Sequence, residues 1–150
     1  MFSVPEIQYP MQMRLGAGVL FLGYDLNSDA ARPGDTLQLT LYWQALEEMA
    51  VSYTVFTHLL DSEEQVWGQM DSVPLSGEAP TTSWVAGEVI ADPYEIIVDA
   101  DTRAGDYVIE IGMYDATTGL RLPVVDASGQ PKDDRVLLQQ SMQVLAAEGE

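Results

Sequence analysis

Three kinds of side chain in this sequence carry chemistry at a suggestive spacing. The first is acidic. Asp99, Asp101 and Asp106 share one short stretch, and calcium takes carboxylate and carbonyl oxygens from such loops. Arg103 interrupts the stretch and no ligand-spaced glutamate follows, so the EF-hand pattern fails. The plain alternative is a solvated connection whose aspartates cap turns. The second kind is aromatic. Trp84 follows Pro80-Thr81-Thr82-Ser83, Tyr94 follows Pro93, and Trp67 lies on an expected hairpin arm. Exposed rings of this kind stack on sugars, so Trp84, Trp67 and Tyr94 are the candidate ligand-binding residues. Trp84 has a rival role as a plug over the end of the core. The third is His58, the only histidine. It lies mid-strand with no Gly-x-Ser-x-Gly element anywhere, which favours a hydrogen-bonded strand histidine over the base of a serine triad. Paired carboxylates could serve a glycosidase, but acids are too common here for any pair to stand out. No catalytic residue is assigned.

These side chains need strands to position them. Leu37, Leu39, Leu41 and Trp43 alternate with Gln38, Thr40, Tyr42 and Gln44, the period-two pattern of a half-buried strand. Tyr107, Ile109, Ile111 and Met113 repeat it. Residues 51–60 are apolar on both sides, as in a central strand. Residues 64–71 should return from it as a hairpin arm, after a turn at Asp61-Ser62-Glu63. Residues 88–98 form a strand whose Pro93 demands an edge or a bulge. Residues 120–125 are expected to pair with the Tyr107 strand across Ala116-Thr117-Thr118-Gly119. Residues 136–144 supply a last strand. Arg32-Pro33-Gly34-Asp35 is a turn, with proline presetting φ and glycine accepting a positive one. The sum is an all-β chain, an antiparallel β-sandwich of about seven to eight strands, immunoglobulin-like or jelly-roll-like. Residues 1–14 read as a linker, 15–145 as the sandwich domain and 146–150 as a tail.

The chain has 150 residues, enough for one core. It carries 24 acidic and 6 basic residues, a net charge of −18. That excludes a phosphate-binding face, so no nucleic acid is expected as partner. With no cysteine and one histidine, thiolate and two-histidine metal sites are excluded within the chain. No apolar stretch reaches the roughly 20 residues of a membrane helix, so direct membrane insertion of this chain is not expected.

Several ordered segments resemble a known group. They are Pro33-Gly34-Asp35-Thr36-Leu37 with Leu39-Thr40-Leu41-Tyr42-Trp43-Gln44-Ala45, then Tyr53-Thr54-Val55-Phe56-Thr57-His58-Leu59-Leu60-Asp61. Pro80-Thr81-Thr82-Ser83-Trp84-Val85-Ala86-Gly87-Glu88 follows, then Ala104-Gly105-Asp106-Tyr107 through Gly112-Met113-Tyr114-Asp115, and Thr118-Gly119-Leu120-Arg121-Leu122-Pro123-Val124. Together, over residues 22–125, they are similar to the soluble C-terminal region of bacterial multi-pass membrane glycosyltransferase-like proteins of the dolichyl-phosphate-mannose mannosyltransferase type. The resemblance implies a non-catalytic accessory domain, extracytoplasmic and tethered to the membrane in a parent protein. Its implied partners are a glycan, an acceptor or the membrane portion of the transferase. The catalytic acids of such enzymes lie in membrane loops that have no counterpart here. The alternative expectation is a structural or protein-interaction module, which an uncovered edge near Pro93 or a large exposed apolar patch would favour. No cofactor is implied, with calcium at Asp99, Asp101 and Asp106 the one candidate.

Overall fold

A computed structural model describes residues 1–147. The chain is nearly all β, 48% strand and 5% helix, in two packed sheets. In chain order the strands are β1 (Tyr9–Leu15), β2 (Val19–Leu26), β3 (Ala30–Ala31), β4 (Thr36–Ala45), β5 (Tyr53–Leu60), β6 (Val66–Gln69), β7 (Val89–Ile97), β8 (Gly105–Asp115), β9 (Val124–Val125), β10 (Pro131–Asp133), β11 (Val136–Leu137) and β12 (Met142–Val144). The first sheet runs β10-β9-β1-β2-β4-β7 and the second β3-β12-β8-β5-β6, with β11 also on β8. All pairs are antiparallel except the short β12–β3 pair. The antiparallel sandwich expected from the alternation is therefore the fold.

The alternation works as written. Leu37, Leu39, Leu41 and Trp43 from β4 meet Ile109, Ile111 and Met113 from β8 in one core, each at most 1% exposed. Burying each such side chain contributes about 1.5–3 kcal/mol. Gly34 takes φ +89° in the turn before β4, and the Asp35 N–H donates to the Arg32 carbonyl at 3.0 Å. β5 sits between β8 and β6, and Phe56 and Leu60 on its outer side are also buried, Phe56 beneath the Arg121 guanidinium.

Two expectations are corrected. Residues 1–14 are not a linker, because Tyr9–Leu15 forms β1. Tyr9, Met11, Met13 and Leu15 pack on the core with the period of a strand. Ahead of β1 the chain runs as a strap over the outer face of the first sheet. The Met1 carbonyl accepts the Val89 N–H at 2.6 Å, and Ile7 packs on Leu22, Tyr42 and Val89. The second correction concerns residues 120–125. The hairpin starts as expected, with Gly119 at φ +76° and the Leu122 N–H donating to Met113 at 2.8 Å. The chain then leaves the second sheet, and β9 pairs with β1 instead. Of the expected tail, residues 148–150 lie outside the described residues; the Ala146 carbonyl accepts from Arg32 at 2.6 Å.

Pro93 lies on an edge strand without a bulge, opposite Thr40. Its N–H deficiency therefore leaves no ladder bond broken. The edge is covered by residues 70–75. Glu95 N–H meets the Met70 sulfur at 3.3 Å, and the Leu75 N–H donates to Asp92 at 2.9 Å. The uncovered edge that an interaction module would present near Pro93 is absent.

Candidate functional site

The aromatic candidates are placed by the core. Trp84 is 2% exposed and its indole N–H donates to the Ala79 carbonyl at 2.9 Å, inside a loop that closes one end of the sandwich. Thr81 anchors that loop, donating to the Val51 carbonyl at 2.7 Å and accepting from Tyr53 N–H at 3.0 Å. Trp84 is therefore the plug and offers no ring face to a ligand. Tyr94, also 2% exposed, points inward opposite Leu39 and is corrected in the same way. Trp67 is half-buried at the end of the core, with its indole N–H held by Asp61 at 2.9 Å. The three rings do not assemble one platform.

Asp99, Asp101 and Asp106 are not brought together either. Among the described residues no group of three or more His, Asp or Glu side chains is placed to hold a metal ion. Asp99 caps its own turn instead, its carboxylate accepting the Asp101 N–H at 3.0 Å and its carbonyl the Thr102 hydroxyl at 2.6 Å. Asp106 has moved on to β8, opposite Gln143.

A different surface has the geometry of a binding site, and it depends on a bulge. Val19 and Phe21 of β2 face the core, but so do Tyr24 and Leu26, so the inward parity switches from odd to even. The switch falls at Gly23, where the register with β4 shifts between Phe21 and Gly23. Gly23 has φ +135°, and a Cβ there would lie 2.3 Å from the Tyr9 carbonyl oxygen. Only glycine fits such a position. The bulge turns Asp25 and Asn27 outward, beside Gln38 and Thr40 of β4. With Glu6, Gln8 and Leu26 they line an open groove of about 620 Å³ on the first sheet.

The groove is held by its own side chains. Gln8 accepts the Leu26 N–H at 2.7 Å through Oε1, and Asn27 accepts the Gln38 N–H at 2.9 Å through Oδ1. A backbone N–H can be met only by an amide oxygen, so the second terminal atom of each side chain is its NH2 donor. Asp25 accepts the Gln8 N–H at 2.8 Å and the Tyr42 hydroxyl at 2.6 Å. Burial, then the Asp25 carboxylate, push the Tyr42 phenol up to about 12, so it stays a donor at physiological pH. The arrangement presents fixed amide donors, a hydroxyl and carboxylate acceptors on a rigid sheet. It can grip a hydroxyl-rich molecule, and it sets no nucleophile beside a base. The sequence signal was Gln38 and Thr40 at the polar positions of the β4 alternation; the bulge, and the approach of Gln8 and Asn27 from just outside β1 and β2, are not visible in it.

The outer face of the second sheet carries an ionic network. Glu110 of β8 is its centre, meeting His58 Nδ1 at 2.7 Å, Arg135 at 3.0 Å and Arg121 at 3.8 Å. His58 Nε2 lies 3.6 Å from Asp71, and Arg135 also meets Glu64. The Arg121 guanidinium covers the Phe56 ring at 4.2 Å from its centroid. Asp71, helped by Glu110 and opposed by burial, raises the pKa of His58. Burial would raise Glu110, but His58 and Arg135 together hold it below the usual carboxylate range. This network fastens the returning chain to the sheet.

No protein family matches the chain, and no curated protein matches it. Solved structures do. The C-terminal domain of Wzt aligns at TM-score 0.57 and 10% identity, over 97% of this chain and 84% of that one. The CARDB domain of a Pyrococcus furiosus protein, solved in complex with di-metal ions, aligns at TM-score 0.47 and 11% identity, over 93% and 95%. The Wzt likeness, at that identity, supports the β-sandwich fold alone. No helix among the described residues is long and apolar enough to cross a membrane.

Proposed function

We propose that this chain is a non-catalytic accessory domain that binds a glycan, in a parent protein of the membrane glycosyltransferase-like kind and on the outer side of the membrane. The observation that carries the reading is the groove on the first sheet, where Gln8 and Asn27 are held by their amide oxygens beside Gln38 and Thr40, each keeping its NH2 as a donor. Hydroxyl recognition needs such fixed polar groups, because each sugar hydroxyl both donates and accepts. The ordered segments that resemble the soluble region of those transferases supply the context. Recognition runs through hydrogen bonds and not through stacking on Trp84 or Tyr94, and it needs no calcium.

A glycan array run with and without calcium tests the reading. Reproducible hits, unchanged by chelation and lost in Gln38→Ala, are the expected result. Gln38 suits the test because its side chain is exposed and truncation leaves the core intact. A blank array, or hits indifferent to Gln38→Ala and Thr40→Val, overturns it. One observation favours a second reading, a docking module for the membrane portion of the parent. Met1, Phe2 and Val4 on the strap are 54%, 64% and 52% exposed. A blank array with binding lost on Phe2→Ser would select it.

A further inference from the structure

We infer, resting on the glycan-binding reading above, that the groove selects an amine-bearing saccharide and rejects acidic ones. Its charged groups are all of one sign. Glu6 and Asp25 line it, and Glu95 of β7 stands directly opposite Gln38 on the same outward face. Side chains so opposed have Cβ atoms about 5 Å apart, so Glu95 flanks whatever Gln38 binds. No lysine or arginine lines the groove. Four of the six basic residues are engaged elsewhere: Arg121 and Arg135 by Glu110, Lys132 by Asp126, and Arg32 by the Ala146 carbonyl.

The carboxylates do different work. Asp25 is occupied by the Gln8 N–H and the Tyr42 hydroxyl, so it orders the groove. Glu6 and Glu95 are exposed at its rim, free to meet a cation in water. A protonated sugar amine there gains attraction from both, while a uronic carboxylate is repelled by both and by a chain of net charge −18. The amide donors still require hydroxyls or their equivalents, so a bare polycation is not the ligand class.

Calorimetric titration with three defined tetrasaccharides tests this: glucosamine, its N-acetylated counterpart and galacturonate. At low ionic strength the glucosamine tetramer is expected to bind about tenfold more tightly than the N-acetylated one, and the uronate not measurably. The preference should shrink toward parity in high salt. Glu6→Gln with Glu95→Gln should remove the preference, bringing the glucosamine tetramer to parity with the N-acetylated one. Glu47→Gln with Glu48→Gln makes the same change of net charge near the other end of β4, about 23 Å from Gln38. It should leave the preference intact, and tetralysine should bind more weakly than the glucosamine tetramer. Equal affinities, uronate binding, or an identical effect of the two double variants overturns the inference while glycan binding stands. If no saccharide binds, here or on the array, both fall.

Discussion

His58 and Glu110 face each other across β5 and β8, Nδ1 to Oε2 at 2.7 Å, in strands whose register places them directly opposite. Because the pKa of His58 is raised, its contribution to stability is full below the ordinary histidine value and is lost as pH rises through the raised one. Because that of Glu110 is lowered, its contribution is present above the ordinary carboxylate value and is lost as pH falls through the lowered one. Stability owed to the pair is thus greatest in the mildly acidic range. Melting curves from pH 5 to 9 should fall on the alkaline side for the native chain, and that fall should be shallower in His58→Gln. Glu110→Gln should cost about 1.5–3 kcal/mol, since it is buried among three cations.

Trp84 fills the end of the sandwich. Trp84→Ala should cost about 3–5 kcal/mol, measured by urea unfolding, and leave glycan affinity unchanged. Trp84→Phe should cost less, losing mainly the hydrogen bond to Ala79. A loss of affinity without a loss of stability would contradict the placement.

Asp92 is a carboxylate inside the core, 1% exposed, accepting the Leu75 N–H at 2.9 Å and the Trp43 indole N–H at 3.2 Å. It holds a turn in which Leu75 and Ser76 both have positive φ. Burial, opposed by these donors, raises its pKa. Its contribution is therefore largest below the ordinary carboxylate value and declines as pH rises through the raised one. Asp92→Ala should cost about 2–4 kcal/mol by leaving two donors unmet. Comparing unfolding of Asp92→Asn and the native chain across pH 4 to 8 should show a shallower decline in the variant, which keeps only the share owed to His58.

Gly23 sets the parity of β2. Gly23→Ala should cost about 2–4 kcal/mol, because the new Cβ meets backbone at 2.3 Å and not a side chain that could move. It should also abolish saccharide binding under conditions where circular dichroism still reports a folded sheet, since Asp25 and Asn27 depend on the bulge.

The strands with a clean alternation were legible because their partners lie one layer away and impose period two. β4 and β8 are of this kind, and their inward residues are the core. β1 carried the same signal in Tyr9, Met11, Met13 and Leu15, but Pro10 and the nearby Pro5 disguised it as a linker. The exit of residues 120–125 to the other sheet was not legible, because a short apolar pair such as Val124 and Val125 fits either edge. Tyr94 was misjudged, and Trp84 reads both as a platform and as the plug it is, for a physical reason: both lie next to loop-forming residues, yet the largest side chains have the most to gain from burial. Groove residues were missed because polar side chains at outward positions become a site only when a bulge and a distant segment bring them together.

The excursion between β8 and β11 bears on how the molecule comes apart. The chain leaves one layer, adds β9 and β10 to the other, and returns to pair with β8, with Arg121 and Arg135 at its two ends both reaching Glu110. It laces the layers together near the C-terminal end of the sequence, so neither can open while the other stays closed. Amide exchange should then report one cooperative unit, with protection in β1 and β8 lost at a common free energy.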